Sequence, residues 1–511
     1  MIDRTQSLPH RYRHSLRTLL RFGIYLLALF LACLAYWVNE NFGEPSLEQV
    51  LYHVQFGIEG LVDTDTALVK SFLQLCLLIP LLASLGLVAA EVSIGLFLTH
   101  GSQYAGARFV SKANKRLIKA IYWMIGHRAP LYTLIISLAY FGTQFSLMAF
   151  LHNQFGKDYF AANYIYPGNV QIHAKKPKNL VLIYVESLEN SYKDKALFGK
   201  NLLESLDEQG GVSFENYRQA PGTGWTIAGI TATQCGIPLK SVSLYDGNSQ
   251  GENIKTFLPN AVCLGDILHQ FGFHNVYMGG DALPFSGKGR FFLDHHYDEA
   301  YGRDELKGEL TQAGMNFWGL YDDDLLLQAK AKLVMLHQAR QPFNLTITTI
   351  DTHGPDGFIS KRCKAEDSAD FADVVQCTSK QVAEFVQFIK KSGYLKDTNI
   401  VILGDHLAMS NPVSAQLDKL PERHVYNSLI SRIVVTKNRD EVLHFDMFPT
   451  ILEFIGFQVE GGRLGLGYTA ITKGSAMPSP DEYEEMSADL LNNSDEYLAL
   501  WAQRSQKTAV K

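Results

Sequence analysis

The stretch PGTGWTIAGITATQCGIPL (residues 221–239) sets four threonines behind a glycine-rich turn. Thr226 follows Gly222, Gly224 and Trp225 and opens the small-residue run IAGITATQ. Its hydroxyl therefore falls at the start of a predicted helix, where free backbone N–H groups and the helix dipole favour an anion such as a phosphoryl group. Taken alone, Thr226 reads first as an N-cap. Thr231 and Thr233 lie further along the helix and read as packing residues, and Thr223 as a loop hydroxyl or cap. A threonine hydroxyl becomes a nucleophile when a metal or a base lowers its pKa, so the rest of the chain has to supply those partners.

Polar residues gather where apolar runs end. NLVLIYV runs into Glu186, HNVYM into Gly279, Gly280 and Asp281, FNLTITTI into Asp351 and His353, and NIVILG into Asp405 and His406. Singly, each is an ordinary turn or cap residue. Together they put carboxylates and two histidines on one rim, and open α/β sheets bind ligands beyond the carboxyl ends of their strands. Glu, Asp and His at one site suit a divalent cation of borderline hardness, zinc or manganese.

The runs that carry these residues are continuous and apolar, as strands covered on both faces would be. SRIVVTK (431–437) reads as a further strand. SKQVAEFVQFIKKSG is an amphipathic helix, with Val382, Phe385, Val386 and Ile389 on one face and Gly393 to stop it. AVCLGDILHQFG and HFDMFPTILEFIG read as further helices. Strand and helix alternate, which predicts an α/β domain with a mostly parallel sheet over residues 179–468.

The chain has 511 residues and a net charge of −6, with both signs spread along it, which gives no argument for nucleic-acid binding, and no nucleic-acid partner is expected. Three N-terminal runs are long and apolar enough for membrane spans, about 22–38, 71–90 and 130–151. Arg4, Arg11, Arg13, Arg17 and Arg21 precede the first, and Arg108, Lys112, Lys115, Arg116, Lys119 and Arg128 lie between the second and third. The positive-inside rule then puts the N-terminus in the cytoplasm and everything after Leu151 outside. Cys33 and Cys76 fall inside spans. The exported part carries Cys235, Cys263, Cys363 and Cys377, an even number in an oxidising compartment. Three pairings are open, and loop closure favours Cys235–Cys263 with Cys363–Cys377. Residues 152–178 read as a juxtamembrane linker and 469–511 as a polar C-terminal tail.

NLVLIYVESLE, PGTGWTIAGITATQCGIPL, CLGDIL, NFWGLYDDDLL, DTHGPDGFISKRC and LGDHLAMSN together resemble the membrane-anchored phosphoglycerol transferases that decorate osmoregulated periplasmic glucans. These belong to the lipoteichoic acid synthase-like branch of the alkaline phosphatase/sulfatase superfamily. The resemblance implies a transmembrane anchor over 1–151 and a sulfatase-like catalytic domain over 179–468 in a bacterial inner membrane, with the catalytic domain periplasmic. It implies one divalent metal ion on Glu186, Thr226, Asp405 and His406: manganese, with zinc or magnesium as alternatives. Thr226 would take phosphoglycerol from phosphatidylglycerol and pass it to a hydroxyl on a soluble or membrane-linked glucan, with His353 as general acid. Asp281 and Arg290 would hold the headgroup, with Lys288 as a substitute for the arginine and Trp225 beside them. Phosphoethanolamine or teichoic-acid transfer is the neighbouring alternative, and a non-catalytic membrane sensor or scaffold the alternative of another class. Ser7-Leu8-Pro9-His10-Arg11 fits the sulfatase signature S-x-P-x-R, but it precedes the first span, and Thr226 stands where a sulfatase carries its modified residue.

Overall fold

The structure, a computed structural model, describes residues 10–42, 50, 66–100, 128–148, 153 and 155–502, except 241–255, 309, 311–313, 364–369 and 476. The basic residues Arg108 to Lys119 and most of the S-x-P-x-R stretch lie outside the described residues. The chain divides into two compact units.

The first unit is helical. Helix α1 (His10–Phe42) is followed by Thr66–Phe72, a π-helical turn Leu73–Leu78 and helix α2 (Ile79–His100), and then by helix α3 (Ala129–Gln144). Ser15–Asn41 and Val69–Ile94 are long and apolar enough to cross a membrane. Only 17% of each window is buried, whereas an apolar helix in a soluble core would be mostly covered. Helix α3 has 16 residues, about 24 Å at 1.5 Å per residue and short of the roughly 30 Å hydrocarbon layer. The expected third span is therefore helical but short among the described residues, and its last residues lie outside them. Near the start of α1, the Tyr25 hydroxyl donates to Glu91 at 2.5 Å and Arg21 pairs with Glu91 at 2.8 Å. Near its end, Trp37 Nε1 donates to Ser71 Oγ at 2.9 Å and Asn39 bonds Gln144. Helix α2 thus runs antiparallel to α1, and α3 runs alongside α1 in the same direction.

The second unit is built on a six-stranded sheet. Its strands are β1 (Asn179–Val185), β2 (His274–Gly279), β3 (Glu299–Tyr301), β4 (Phe343–Thr348), β5 (Thr398–Gly404) and β6 (Asn427–Ile430), in the order β3-β2-β4-β1-β5-β6. All pairs are parallel except β5–β6, so the sheet is mixed, with one antiparallel edge. Period-two alternation splits each central strand between two layers. Leu180, Leu182 and Tyr184 face a core shared with helices α4 (Thr226–Cys235), α5 (Leu264–Gln270) and α8 (Met447–Phe454). Val181, Ile183 and Val185 face the opposite core with α6 (Asp322–Ala339) and α7 (Phe371–Lys391). Both faces are covered, which is why these strands read as unbroken apolar runs.

The expected strand 431–437 is a correction. The strand lies earlier, at Asn427–Ile430, and Ile433 and Val434 beyond it are 74% and 89% exposed. The edge position explains the difference: Asn427 bonds both the Phe214 N–H (2.7 Å) and the Phe214 carbonyl (2.8 Å) through its side chain, so a polar residue satisfies backbone that a further strand would otherwise pair. Residues 155–178 and 469–502 belong to this same unit. Ile172–Ala174 pairs antiparallel with Phe457–Val459, and Tyr159, Phe160, Tyr497 and Leu500 are buried in the α4-side core.

Candidate active site

Strand register brings the site together. In β1 and β5, Val185 lies opposite Gly404, so the next residues, Glu186 and Asp405, leave the sheet side by side. Both carboxylates and the His406 ring are fully buried. Their ligand atoms lie within 4.8 Å of one another, a group that could hold a metal ion. His406 Nε2 is 3.4 Å from Glu186 Oε1 and 3.6 Å from Asp405 Oδ2. Neither His406 Nε2 nor Asp405 Oδ2 has a hydrogen-bond partner. Orphaned buried polar atoms are costly unless something binds them, and one Glu, one Asp and one His are a donor set for a divalent cation.

Helix α4 delivers Thr226. Its N-cap is Trp225, in extended backbone, so Thr226 is the first helical residue and its hydroxyl does not cap. Instead Thr226 Oγ1 donates to Glu186 Oε2 at 3.0 Å. The helix reaches this close because residue 229 is glycine: a Cβ there would stand 2.0 Å from the Asp405 carbonyl oxygen. Thr233 bonds Tyr184 at 2.7 Å and the Gly229 carbonyl, and Thr223 donates to the Ala220 carbonyl at 2.7 Å. At the far end, Cys235 is bonded to Cys263; Cys363 is bonded to Cys377. Cys235, Cys263 and His295 also converge, but the disulfide consumes both thiols.

The electrostatics of the metal-free cluster are those of too little positive charge. Burial, then the neighbouring Glu186 charge, pushes Asp405 up to about 7. Burial alone would lower His406, but Asp405 and Glu186 hold it at about 9. Burial would raise Glu186, yet the charges of His353 and His406 keep it well below the usual carboxylate range. The fold thus keeps a proton in the cluster that a divalent cation would displace.

Two other strand ends flank this centre. His353, after β4, is 8% exposed; its Nδ1–H donates to the Gly354 carbonyl at 2.8 Å, and its ring lies 4.1 Å from that of Trp318. After β2, buried Asp281 forms an ion pair with buried Lys288. Lys288 Nζ lies 5.4 Å from the Phe285 ring, which packs on Trp318 at 5.4 Å. Arg290 is exposed on the helix Lys288–Asp294 and is not the residue paired with Asp281. Trp225 is 6% exposed. Asp351 turns away from the cluster: it accepts from Asn316 at 2.9 Å and the Asp322 N–H at 3.2 Å, and bonds Ser360. Burial and the neighbouring Asp322 charge push Asp351 well up, and burial pushes Asp322 up to about 6.

Several residues around the cluster gave no sequence signal. His444 Nε2–H donates to the Asp405 carbonyl at 2.9 Å, and burial drops this ring to about 4, which keeps it neutral. Gln219 accepts from the Leu407 N–H at 2.7 Å. Buried Glu189 accepts from Arg423 and from the Ala408 N–H, while Arg423 donates to the Ala408 carbonyl at 2.8 Å. The backbone from Asp405 to Ala408 is therefore held by side chains 15 or more residues away. Trp318 sits in the motif NFWGLYDDDLL, and Lys288 two residues before Arg290.

A mostly parallel α/β sheet with acidic and histidine side chains at its strand ends, and a threonine at a helix start beside them, is the arrangement of a phosphatase- and sulfatase-like fold. The sulfatase family model matches residues 178–457, and the chain belongs to that family. It is 39% identical to phosphoglycerol transferase I of Salmonella agona strain SL483 over 328 residues, 61% of this chain and 41% of that protein. The chain thus spans about two fifths of the length of the relatives it matches. Among solved structures it is similar to the lipoteichoic acid synthase LtaP from Listeria monocytogenes (TM-score 0.47, 16% identity, 67% of this chain and 94% of that one). It is also similar to the integral membrane lipooligosaccharide phosphoethanolamine transferase A from Neisseria meningitidis (TM-score 0.46, 14% identity, 86% and 84%).

Proposed function

We propose that this chain is a membrane-anchored transferase that moves phosphoglycerol from phosphatidylglycerol, through an ester on Thr226, to an acceptor hydroxyl on a periplasmic glucan. The observation that carries this reading is the Thr226 hydroxyl, 3.0 Å from Glu186 inside a cluster with orphaned Asp405 and His406 atoms. The 39% identity to phosphoglycerol transferase I supports phosphoglycerol as the group transferred. Glu186, Thr226, Asp405 and His406 would hold one divalent ion, manganese first among candidates. When bound, that ion supplies the positive charge that makes the threonine hydroxyl acidic.

Thr226 Oγ1, aimed by Glu186, attacks phosphorus and forms a P–O bond as the bond to the diacylglycerol oxygen breaks. His353, whose Nδ1–H is engaged by Gly354, presents Nε2 to protonate that leaving oxygen. The Thr226 proton passes to solvent before the attack; in the second step an acceptor hydroxyl gives its proton to His353 Nε2, left bare by the first step, and attacks phosphorus as Thr226 Oγ1 leaves as the alkoxide. Asp281 and Lys288 would meet the glycerol hydroxyls, with Trp225, Trp318 and Phe285 as apolar walls. The N-terminal helices fit an anchor that keeps the domain near its lipid donor; the shared direction of α1 and α3 supports three spans, and the arginines before the first span support an N-terminus in the cytoplasm. The test incubates purified full chain and Mn²⁺ with vesicles of headgroup-labelled phosphatidylglycerol or phosphatidylethanolamine, with and without glucan. Metal-dependent diacylglycerol release from the first lipid alone is expected. Release from the second alone would reassign the donor, and release from neither would sink the enzyme reading.

A further inference from the structure

Ser187 follows Glu186 with φ 52° and is 3% exposed. That is the left-handed region, which glycine or asparagine occupies far more readily than serine. Backbone strain at a buried position persists only where its surroundings hold it, and it concentrates at functional sites. Here the left-handed turn aims two donors from one residue at two carboxylates: the Ser187 N–H donates to Asp405 Oδ1 at 2.8 Å, and Ser187 Oγ–H donates to Glu186 Oε1 at 2.7 Å.

The two bonds sort the carboxylate oxygens. Asp405 Oδ1 accepts from Ser187 and from the His406 N–H at 2.9 Å, which leaves Oδ2 as the oxygen without a partner, 3.6 Å from His406 Nε2. On Glu186, Oε1 is held by Ser187 while Oε2 receives Thr226. We infer that Ser187 is a positioning residue that presets Glu186 and Asp405 for a divalent cation, with Asp405 Oδ2 left free as the ligand atom. It acts through the two carboxylates and touches neither substrate nor phosphorus. The inference rests on the reading of Glu186, Asp405 and His406 as the metal site.

The test compares wild type, Ser187→Gly and Ser187→Ala as full chains in detergent, with Mn²⁺ affinity measured by calorimetry and the metal-free melting temperature recorded beside it. Glycine removes the hydroxyl and relieves the backbone; alanine removes the hydroxyl and keeps the strain. Loss of an outer-shell partner of a metal ligand typically lowers affinity by roughly 10- to 100-fold, and both variants are expected to fall in that range. The metal-free glycine variant is expected to melt at or above wild type. If Ser187→Gly binds Mn²⁺ as tightly as wild type, the residue serves only the turn and the inference is overturned. It is equally overturned if Ser187→Gly melts well below wild type, since the hydroxyl then serves the fold. No binding by wild type would instead sink the metal-site reading, and the inference with it.

Discussion

Arg423→Ala should destabilise the second unit far more than the loss of a surface ion pair. Glu189 is completely buried, and Arg423 is 22% exposed at its side chain. The guanidinium forks onto both carboxylate oxygens, at 3.0 and 2.5 Å, and donates to the Ala408 carbonyl; among the described residues the only other donor to the Glu189 carboxylate is the Ala408 N–H, at 3.1 Å. Truncation strands a buried charge on one backbone donor. Breaking such a pair costs about 3–5 kcal/mol when it is fully buried. Water reaching through the part-exposed arginine position discounts this to about 2–4 kcal/mol. Urea unfolding of the full chain in detergent, with Trp37 and Trp123 replaced by phenylalanine and followed by tryptophan fluorescence, reads the second unit, since Trp225, Trp318 and Trp501 all lie in it. Adding Glu189→Gln removes the stranded charge and should restore at least about 1 kcal/mol. A loss below about 1 kcal/mol, the range of exposed pairs, or no recovery in the double variant would refute the argument.

Gly229→Ala raises helix propensity by about 1 kcal/mol, yet it should destabilise the domain and weaken metal binding, because the new Cβ meets the Asp405 carbonyl at 2.0 Å; a thermal melt that rises contradicts the packing. Mn²⁺ binding near pH 7 should release about one to two protons, since His406 at about 9 and Asp405 at about 7 must give theirs up. Calorimetry in buffers of differing ionisation enthalpy reads that number, and zero release contradicts it. His444 is held at about 4, below its unfolded value near 6.5, so the unfolded chain binds more protons between these limits and stability should fall as pH drops from about 6.5 to about 4. His444→Gln should flatten that slope in pH-dependent unfolding. The Cys235–Cys263 bond closes a separation of 28 residues, and replacing both cysteines by alanine should cost about 3–4 kcal/mol in the same unfolding assay.

The site's outline was legible because the central strands are parallel and covered on both faces. Apolar runs then end abruptly, and a polar residue after such a run lies at the carboxyl edge whatever the strand order. Glu186, Asp405 and His406 could be found this way, and Thr226 by its glycine turn. Direction was harder to read. Asp351 occupies the same kind of position but faces Asp322 and Asn316, and only long-range packing decides that. The headgroup residues split for a similar reason. Lys288 and Arg290 lie two apart at the start of one short helix, and helical geometry sends one inward to Asp281 and the other to solvent. Edge strand β6 was misplaced because apolarity marks strands only where both faces are buried; Ile433 and Val434 are apolar and outside. His444, Gln219, Glu189 and Arg423 were invisible because their partners are remote in sequence and each is an unremarkable residue type alone. The aromatic residues before β1 and after Tyr468 read as linker and tail because polar neighbours mask Tyr159, Phe160, Tyr497 and Leu500, which complete the core.

The central claim is that Thr226 is the residue that carries phosphoglycerol. Purified full chain mixed with phosphatidylglycerol and Mn²⁺, quenched and measured by intact mass with peptide mapping, should gain one phosphoglycerol group on Thr226. Thr226→Ala should gain none. No adduct on wild type, or an equal adduct on Thr226→Ala, would contradict the account.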